Sequence, residues 1–261
     1  MTAPDTGSKN VSATPQFEAR IAAGEAENEA AQRLRYDVFV EELGGDGDLV
    51  DHEARLERDR FDPYCDHLIL IDHARGGEVV AVYRLMTDAQ ARAGEGFYTA
   101  AEYDLSPLLS SGRRLLEIGR SCLHADYRGG AAMAHLWAAL SAHVEATGVD
   151  LVFGVASFHG TDIEALAEPL AYLHHNHLAP EDLRVRSRAF QSMDLMSPDL
   201  IDRKAAMVAT PALIKAYLRL GGFIGEGAYV DHEFNTTDVF VMTDTKAMND
   251  RHRALYVKAR T

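Results

Sequence analysis

The sequence lacks the features of secreted and membrane-spanning proteins. Its 261 residues include only two cysteines, Cys65 and Cys122, which are too few for a disulfide framework and fit a reducing cytosol. No apolar run approaches the length that crosses a bilayer, and no apolar segment of a secretory signal stands near the first residue. Residues 1–14 are rich in Ser, Thr, Gly and Pro, which predicts a disordered tail.

Basic residues are also few. The chain has 26 Lys and Arg against 40 Asp and Glu, which gives a net charge of −14. Nucleic-acid binding needs a basic footprint, so this balance argues against it and against general adhesion to anionic lipid. We expect most of the remaining basic clusters to be solvated surface charge; they are Arg113-Arg114, Arg184/Arg186/Arg188, Arg203-Lys204 and Lys215/Arg219.

Apolar residues make up 47% of the chain, enough for a substantial core, and their pattern alternates between strand and helix periods. Strands are predicted over 16–22, 65–72, 78–86, 114–124, 150–158 and 239–243. Helices are predicted over 25–42, 99–103, 131–147, 163–175 and 211–220, and a loop over 44–59. This order predicts one α/β domain over residues 15–261, with a central mixed sheet flanked by helices.

The stretch from Leu115 to Gly130 is the most informative part of the chain. It predicts an apolar strand, a glycine-rich turn and a helix that starts near Ala131. Two charged residues, Glu117 and Arg120, interrupt the strand, and strict alternation would place them on opposite faces unless a bulge intervenes. Either they form a structural ion pair or they belong to a functional site, and these residues alone leave both interpretations open.

The turn and the helix after it resemble the core of the GNAT N-acyltransferase superfamily. Arg128, Gly129 and Gly130 stand where free N–H groups of a helix N-terminus can meet a phosphate. The superfamily usually has Gly and Gly or Ala three and five residues after its Arg, where this chain has Ala131 and Met133. The resemblance implies that these three residues meet the single phosphate of a phosphopantetheine.

Two narrower resemblances cover residues 16–245. Segments similar to the signature of acyl-homoserine-lactone synthases are Arg35-Tyr36-Asp37-Val38-Phe39, Asp59-Arg60-Phe61-Asp62, Arg84 and Glu117-Ile118-Gly119-Arg120. Segments similar to ornithine–acyl-carrier-protein N-acyltransferases are Tyr172-Leu173-His174, the run 212–222 and Phe234-Asn235-Thr236-Thr237-Asp238-Val239-Phe240. The chain is identified as a member of the second family, within a GNAT-like fold.

This resemblance implies an enzyme that transfers a 3-hydroxylated fatty acyl chain from acyl carrier protein to the α-amino group of L-ornithine. The product is lyso-ornithine lipid, in the first step of ornithine lipid biosynthesis. No cofactor is implied, because the acyl-phosphopantetheine of acyl carrier protein is a co-substrate. Two alternatives stay open: acyl-homoserine-lactone synthesis with S-adenosylmethionine, and a non-catalytic module that binds acyl chains or carrier protein.

The chemistry of amide formation assigns roles to the charged residues. An amine arrives protonated, so a base must take its proton, and Glu117 with Arg120 beside it is predicted to form the catalytic pair. The alternative is that Glu117 only holds Arg120. Asp59 and Asp62 are predicted to hold the ammonium groups of the substrate, or else to be part of a solvated loop.

Further substrate contacts are predicted from the same segments. Arg35 and Arg84 either pair with these carboxylates or bind the carboxylate of the substrate in a bidentate fork. Phe39 belongs to the same signature and is counted with the substrate-binding residues. Ser157 is predicted to contact the pantetheine or to protonate the leaving thiolate, the alternative being a serine bonded to its own backbone.

Three other features receive weaker predictions. The histidines at 174, 175 and 177 invite a metal site, but their spacing and the lack of further ligands favour a surface helix end, so no metal is predicted. Cys122 is predicted to be a small buried hydrophobe. The segment 234–238 is either a capped turn or a closure over the amine site.

The enzyme is predicted to be cytoplasmic. Because its lipid product must leave the site, a peripheral and reversible contact with the membrane is expected.

Overall fold

The computed structural model describes residues 14–47, 49–232 and 234–246, and in them nine strands form one sheet. The strands are β1 (Phe17–Ile21), β2 (Asp66–Asp72), β3 (Glu78–Thr87), β4 (Tyr103–Asp104), β5 (Leu115–Leu123), β6 (Leu151–His159), β7 (Arg186–Ser187), β8 (Phe223–Asp231) and β9 (Thr236–Asp244). Their order in the sheet is β1-β2-β3-β5-β6-β9-β8-β7-β4. Both parallel and antiparallel pairs occur, which confirms the predicted mixed α/β sheet.

Seven α-helices accompany the sheet in the described part of the chain. They are α1 (Glu25–Arg35), α2 (Asp88–Ala93), α3 (Ser106–Leu109), α4 (Ala132–Thr147), α5 (Ala167–His177), α6 (Arg203–Ala209) and α7 (Ala212–Arg219). A π-helix, Tyr36–Glu42, continues α1, so the predicted helix over 25–42 exists but changes its winding after Arg35. The predicted tail lies outside the described residues except for Thr14.

The sequence prediction failed at β8, for which it proposed no element. Gly225 and Gly227 weaken the strand pattern there, although both glycines have a packing reason. A Cβ on Gly225 would lie 2.9 Å from atoms of Phe240 and Val185, and Gly227 has φ +78° within a register shift against β9. Close packing and a bulge therefore favour glycine at positions where propensity disfavours a strand. The short elements α2, α3, α6, β4 and β7 were also missed.

The two faces of the sheet pack against different elements. Tyr83, Ile118 and Tyr217 belong to the large apolar cluster that includes residues of α4 and α7. On the opposite face, Val82 packs with residues of α1, and Phe153 belongs to a third cluster. Successive side chains of a strand point to opposite faces, so the neighbours Val82 and Tyr83 of β3 pack on opposite sides of the sheet.

Strands β5 and β6 separate in the middle of the sheet. Their parallel pairing covers only three residue pairs, from Leu115↔Leu151 to Glu117↔Phe153. Gly154 makes the last close approach, since a Cβ there would lie 2.2 Å from the carbonyl oxygen of Ile118. Beyond it, β5 continues to pair with β3, and β6 with β9. An opening therefore forms between two strands that are each held on their other side.

Candidate active site

A cavity of about 310 Å³ occupies the opening between β5 and β6. Ile118 and Arg120 line it from β5, and Val155 and Ser157 line it from β6. Its size is at the lower end of the range for small-molecule sites. Beyond Glu117 and Phe153, β5 pairs only with β3 and β6 only with β9. The free backbone edges of both strands therefore also face the cavity.

Lining residues come from both faces of the sheet. On the face of α4 and α7 they are apolar or aromatic and include Tyr83, Ile118, Ala156, Leu213 and Tyr217. The charged lining residues of the strands lie on the other face and include Arg84, Glu117, Arg120 and Asp238. The cavity thus joins an apolar side to a polar side through the sheet.

A β-bulge aims Arg120 at the polar side. Val82 pairs with Cys122 and Arg84 pairs with Gly119, so Tyr83 alone faces two residues of β5. Arg120 adopts φ +48°, an uncommon conformation for a residue with a side chain. The guanidinium carbons of Arg84 and Arg120 lie 5.5 and 4.9 Å from the ring centroid of Tyr98, so both are on one face.

Six charged side chains form what we call the arginine network. Its members are Arg35, Arg84, Arg120, Glu57, Asp59 and Asp62. Asp62 Oδ1 lies 2.8 Å from Arg35 Nη1 and 3.0 Å from Arg84 Nη1, and Glu57 Oε2 lies 2.5 Å from Arg35 Nε. Burial opposes ionisation of Asp62, but His67 and these arginines outweigh it and lower the pKa of that carboxyl well below its usual range.

Asp59 connects the other two arginines of the network. Its Oδ1 lies 2.6 Å from Arg84 Nη1 and its Oδ2 lies 3.0 Å from Arg120 Nη2. Burial works against ionisation of this carboxyl too, but the charges of Arg84 and Arg120 lower its pKa. With three arginines and three carboxylates in contact, the network is formally neutral.

Glu117 is satisfied by backbone rather than by an arginine. Its Oε2 accepts a hydrogen bond from the Tyr98 N–H at 2.9 Å, and its Oε1 accepts one from the Thr99 N–H at 2.7 Å. Burial raises the pKa of Glu117 despite these hydrogen bonds. The ion pairs of Arg120 run instead to Glu57 and Asp59, so the interpretation that Glu117 merely holds Arg120 is wrong.

Asp238 lies on the polar side of the cavity, and the sequence singled it out only as part of segment 234–238, a turn or a closure over the amine site. It faces Ser157 across the β6–β9 pair and is 5% exposed. Burial raises its pKa, although the nearby hydroxyl groups of Ser157 and Thr236 act to lower it. The polar run Thr236-Thr237-Asp238, directly before the apolar residues of β9, was the available signal. Residues 234–235 form the turn before β9 and residues 236–238 begin that strand, so the segment is a turn only in its first part.

Glu102 and Asp231 accompany Asp238. Glu102 is 6% exposed, and burial, followed by the charges of Asp238 and Asp231, raises its pKa to about 8. Asp231 lines the cavity and accepts a hydrogen bond from the Phe234 N–H at 3.0 Å. We call Glu102, Asp231 and Asp238 the carboxylate cluster.

The structure separates the predicted site residues into three groups. Phe39, Arg84, Glu117, Arg120 and Ser157 line the cavity. Arg35, Asp59 and Asp62 lie behind it, in the arginine network. The roles assigned to these eight residues stay predictions, as does the substrate contact of Asp59 and Asp62, whose described ion pairs run to arginines.

The third group is the turn before α4. Arg128, Gly129 and Gly130 are exposed and are not among the described residues that line the cavity. Arg128 Nη2 lies 2.5 Å from Glu42 Oε2 and 3.2 Å from the carbonyl oxygen of Leu123. Their contact with a phosphate stays a prediction.

Two of the weaker predictions can be compared with the structure. His174, His175 and Asp194 offer ligand atoms within 4.8 Å of one another, whereas His177 is not part of this group. His175 Nε2 is already 2.9 Å from the Met196 carbonyl oxygen, and the absence of a metal stays a prediction. Cys122 is buried, and burial raises the pKa of its thiol, as expected of a small core residue.

The chain is similar to proteins of known activity. The family model of the acetyltransferase (GNAT) domain matches residues 34–138. An L-ornithine N(alpha)-acyltransferase from Rhodobacter capsulatus is 59% identical over 93% of this chain and 95% of its own length. One from Brucella abortus is 41% identical over 92% of this chain and 88% of its own. The chain belongs to the L-ornithine N(alpha)-acyltransferase family.

Two solved structures share the fold of this L-ornithine N(alpha)-acyltransferase family member. The coenzyme-A-dependent acyl-homoserine lactone synthase BjaI aligns with TM-score 0.55 and 14% identity, over 95% of this chain and 90% of BjaI. FeeM, an N-acyl amino acid synthase from uncultured soil microbes, aligns with TM-score 0.52 and 12% identity, over 95% and 98%. Among the described residues, no helix has the length and apolar character needed to cross a membrane.

Proposed function

We propose that this chain transfers a 3-hydroxylated fatty acyl chain from acyl carrier protein to the α-amino group of L-ornithine, giving lyso-ornithine lipid. The observation that carries the proposal is the match along nearly the whole chain to L-ornithine N(alpha)-acyltransferases. The acyl carrier protein and the hydroxylated chain come from the sequence resemblance. The cavity adds a physical reason, because a thioester that crosses the sheet needs an apolar side for its chain and a polar side for its amine.

The opening between β5 and β6 suits the thioester. A pantetheine arm is extended and polar, and strand edges that lack a neighbour offer it backbone hydrogen bonds. The acyl chain then extends towards Tyr83, Ile118 and Tyr217, on the side of α7. The amine approaches from the side of Glu117 and Arg120, so that both substrates meet in the plane of the sheet.

Glu117 is the base in this proposal. The ornithine α-ammonium gives one proton to Glu117, and the free amine forms the C–N bond with the thioester carbonyl. The C–S bond then breaks, the nitrogen loses a second proton to become the amide, and the leaving thiolate takes up that proton to leave as the thiol. Burial of Glu117 raises its pKa, which brings a carboxylate closer to the range in which it accepts protons near neutral pH. The two backbone N–H groups fix its orientation.

Arg84, Arg120 and Ser157 are the remaining cavity groups that can act on substrate. Arg120 is 17% exposed at its side chain and Arg84 is 5% exposed, so Arg120 is the more accessible partner for the α-carboxylate of the acceptor. Ser157 is exposed in the cavity and can donate to the pantetheine or to the thiolate. Each of these contacts forms only with substrate bound.

A peripheral membrane contact is also part of the proposal. The product carries one acyl chain and must leave for a lipid phase. Leu43 lines the cavity and is 58% exposed, and Leu49, a few residues further along, is 50% exposed. Exposed leucines beside a cavity can enter the interface of a bilayer, and such contact is weak and reversible.

The test is a product assay with purified protein. The donor is either 3-hydroxyacyl carrier protein or the same acyl group on coenzyme A, and the amine is L-ornithine or S-adenosylmethionine. We expect N-acyl-ornithine by mass spectrometry, with the carrier protein as the better donor. An acyl-homoserine lactone would establish the alternative synthase activity. Binding of acyl carrier protein without any product would indicate a non-catalytic module.

A further inference from the structure

The carboxylate cluster contains buried oxygen atoms without partners. Asp238 Oδ1 and Glu102 Oε2 are inaccessible to solvent and have no hydrogen-bond partner in the described part of the chain. Asp238 is only 5% exposed, and it lines the cavity. A buried carboxylate without a partner is costly, so such an atom indicates a group that arrives from outside.

The arginines nearby do not supply that group. Among the described residues, Arg84 and Arg120 are the two arginines that line the cavity, and no lysine lines it. Both arginines already have carboxylate partners in the arginine network. Asp59 and Asp62, which the sequence suggested for the substrate ammonium, are those partners. Neither arginine is therefore an ion-pair partner of Asp238 or Glu102 in the described part of the chain.

We propose that Asp238, with Glu102 beside it, binds the side-chain ammonium of a diamino acid acceptor and thereby selects ornithine over neutral amino acids. The inference rests on the proposed function and adds the residues that recognise the second amine. An ammonium has three N–H donors and no acceptor. Asp238 Oδ1 supplies an unused acceptor, and the hydroxyl oxygens of Ser157 and Thr236 lie next to the same carboxylate.

The place of Asp238 in the sheet favours the side-chain amine over the reacting amine. The reacting amine must reach the thioester in the opening between β5 and β6, where Glu117 lies. Asp238 stands on β9, on the far side of β6 from that opening, and neighbouring strands are about 4.8 Å apart. The cavity joins the two places, since Glu117, Ser157 and Asp238 all line it. An acceptor with amines at both ends fits this separation.

The test compares two acceptors that differ only in the side-chain amine, L-ornithine and L-norvaline, with the donor saturating. Wild-type protein is expected to prefer ornithine by about a thousandfold or more in kcat/KM, because norvaline leaves the carboxylate unpaired. Asp238→Asn should lower kcat/KM for ornithine by about a hundredfold or more. The value for norvaline should stay within about threefold, so that the preference collapses. Glu102→Gln should reduce the preference in the same direction.

Asp244→Asn is the matched control. Asp244 lies on the same strand, and its Oδ2 is 2.5 Å from Arg113 Nη1, outside the cavity lining. We expect its preference for ornithine to be unchanged. Equal losses with both acceptors in Asp238→Asn would assign Asp238 to the reacting amine and overturn the inference, as would an undiminished preference.

A binding measurement separates this inference from the proposed function. Without donor, 1,4-diaminobutane should raise the melting temperature of wild-type protein and of Asp244→Asn, but not that of Asp238→Asn. Failure of wild-type protein to acylate ornithine would overturn the proposed function and leave this cation site to be decided by the diamine. An equal diamine effect on wild-type protein and Asp238→Asn would overturn the site itself.

Discussion

The arginine network and the carboxylate cluster are both buried and both contain aspartate, but the carboxylates of the network are paired with arginines, whereas Asp238 and Glu102 are not. In the network, each carboxylate lies within 3.3 Å of an arginine nitrogen. In the cluster, Asp238 and Glu102 each have an oxygen with no partner. The pKa of Asp62 is lowered by its neighbours, whereas burial raises the pKa of Asp238.

This difference teaches that an acidic residue in a site cannot be assigned a role from its type alone. A carboxylate that already holds two arginines positions those arginines, and its loss is expected to damage the fold. A carboxylate without a partner destabilises the empty protein and gains its partner from the substrate. Stability and substrate use should therefore respond in opposite ways to the same Asp→Asn change in the two regions.

The largest expected effect is on the stability of Asp62→Asn. This change leaves Arg35 and Arg84 buried with one carboxylate fewer, so the free energy of unfolding should fall by about 3 kcal/mol or more. The pKa of Asp62 is lowered in the folded state, so its contribution is present above the unfolded pKa of about 3.9 and is lost as the pH falls through the folded pKa. Urea unfolding at neutral pH measures it.

Two other variants complete this test. Asp238→Asn should leave the free energy of unfolding unchanged or raise it, because an uncompensated buried charge is removed. Asp46→Asn, whose side chain is 73% exposed, should change it by less than about 0.5 kcal/mol. If Asp62→Asn were as stable as wild-type protein, the network would contribute nothing measurable to stability, and the contrast between the regions would fail.

The second effect concerns Glu117, a buried carboxylate that belongs to neither region because backbone N–H groups satisfy it. Glu117→Gln keeps one acceptor for Tyr98 and Thr99 but cannot take a proton. We expect kcat to fall by about a hundredfold, with little change in the KM for either substrate. Steady-state assays between pH 6 and 9 measure it, and near-normal turnover at any of these pH values would remove Glu117 from the role of base.

The third effect is on the pH dependence of stability. The pKa of Glu102 is raised to about 8 in the folded state, against about 4.3 in an unfolded chain. Between these values the folded protein holds a proton that the unfolded chain has lost, so the free energy of unfolding declines as the pH rises. Each pH unit removes at most about 1.4 kcal/mol. Glu102→Gln should lack this decline.

Denaturant unfolding of wild-type protein and Glu102→Gln, from pH 5 to 8.5, checks this prediction. The variant should be the more stable protein at the alkaline end, while the two converge at the acid end. A parallel pair of curves would show that Glu102 ionises in the fold as easily as in water, and that the cluster is not short of positive charge.

The smallest effect is expected at the surface. Arg128→Ala removes an exposed pair with Glu42, so the free energy of unfolding should change by less than about 1 kcal/mol. If the turn meets the phosphate of the donor, the KM for acyl carrier protein should rise several-fold at unchanged kcat. Arg75→Ala, another exposed arginine with acidic partners, is the control and should leave the KM unchanged. If Arg128→Ala leaves the KM for acyl carrier protein as unchanged as Arg75→Ala does, Arg128 is not part of the donor site.

Much of the fold followed from the sequence because its main elements have strong periods. The strand over 114–124 and the helix over 131–147 were predicted within about one residue of β5 and α4. Strand β8 was missed because Gly225 and Gly227 answer to packing against Phe240 and to a bulge rather than to local propensity. The site residues Arg84, Glu117 and Arg120 were found from their charge inside apolar runs.

The sequence by itself determined the α/β architecture, the family and the charged residues that stand near the chemistry. Only the tertiary structure decided which carboxylates are already paired. Asp59 and Asp62 face arginines from three different segments, and Asp238 comes from a distant strand beside Glu102. Periodicity is a local property that the chain carries in its order of residues. Charge compensation depends on contacts between residues far apart in that order, and folding alone brings them within hydrogen-bond distance.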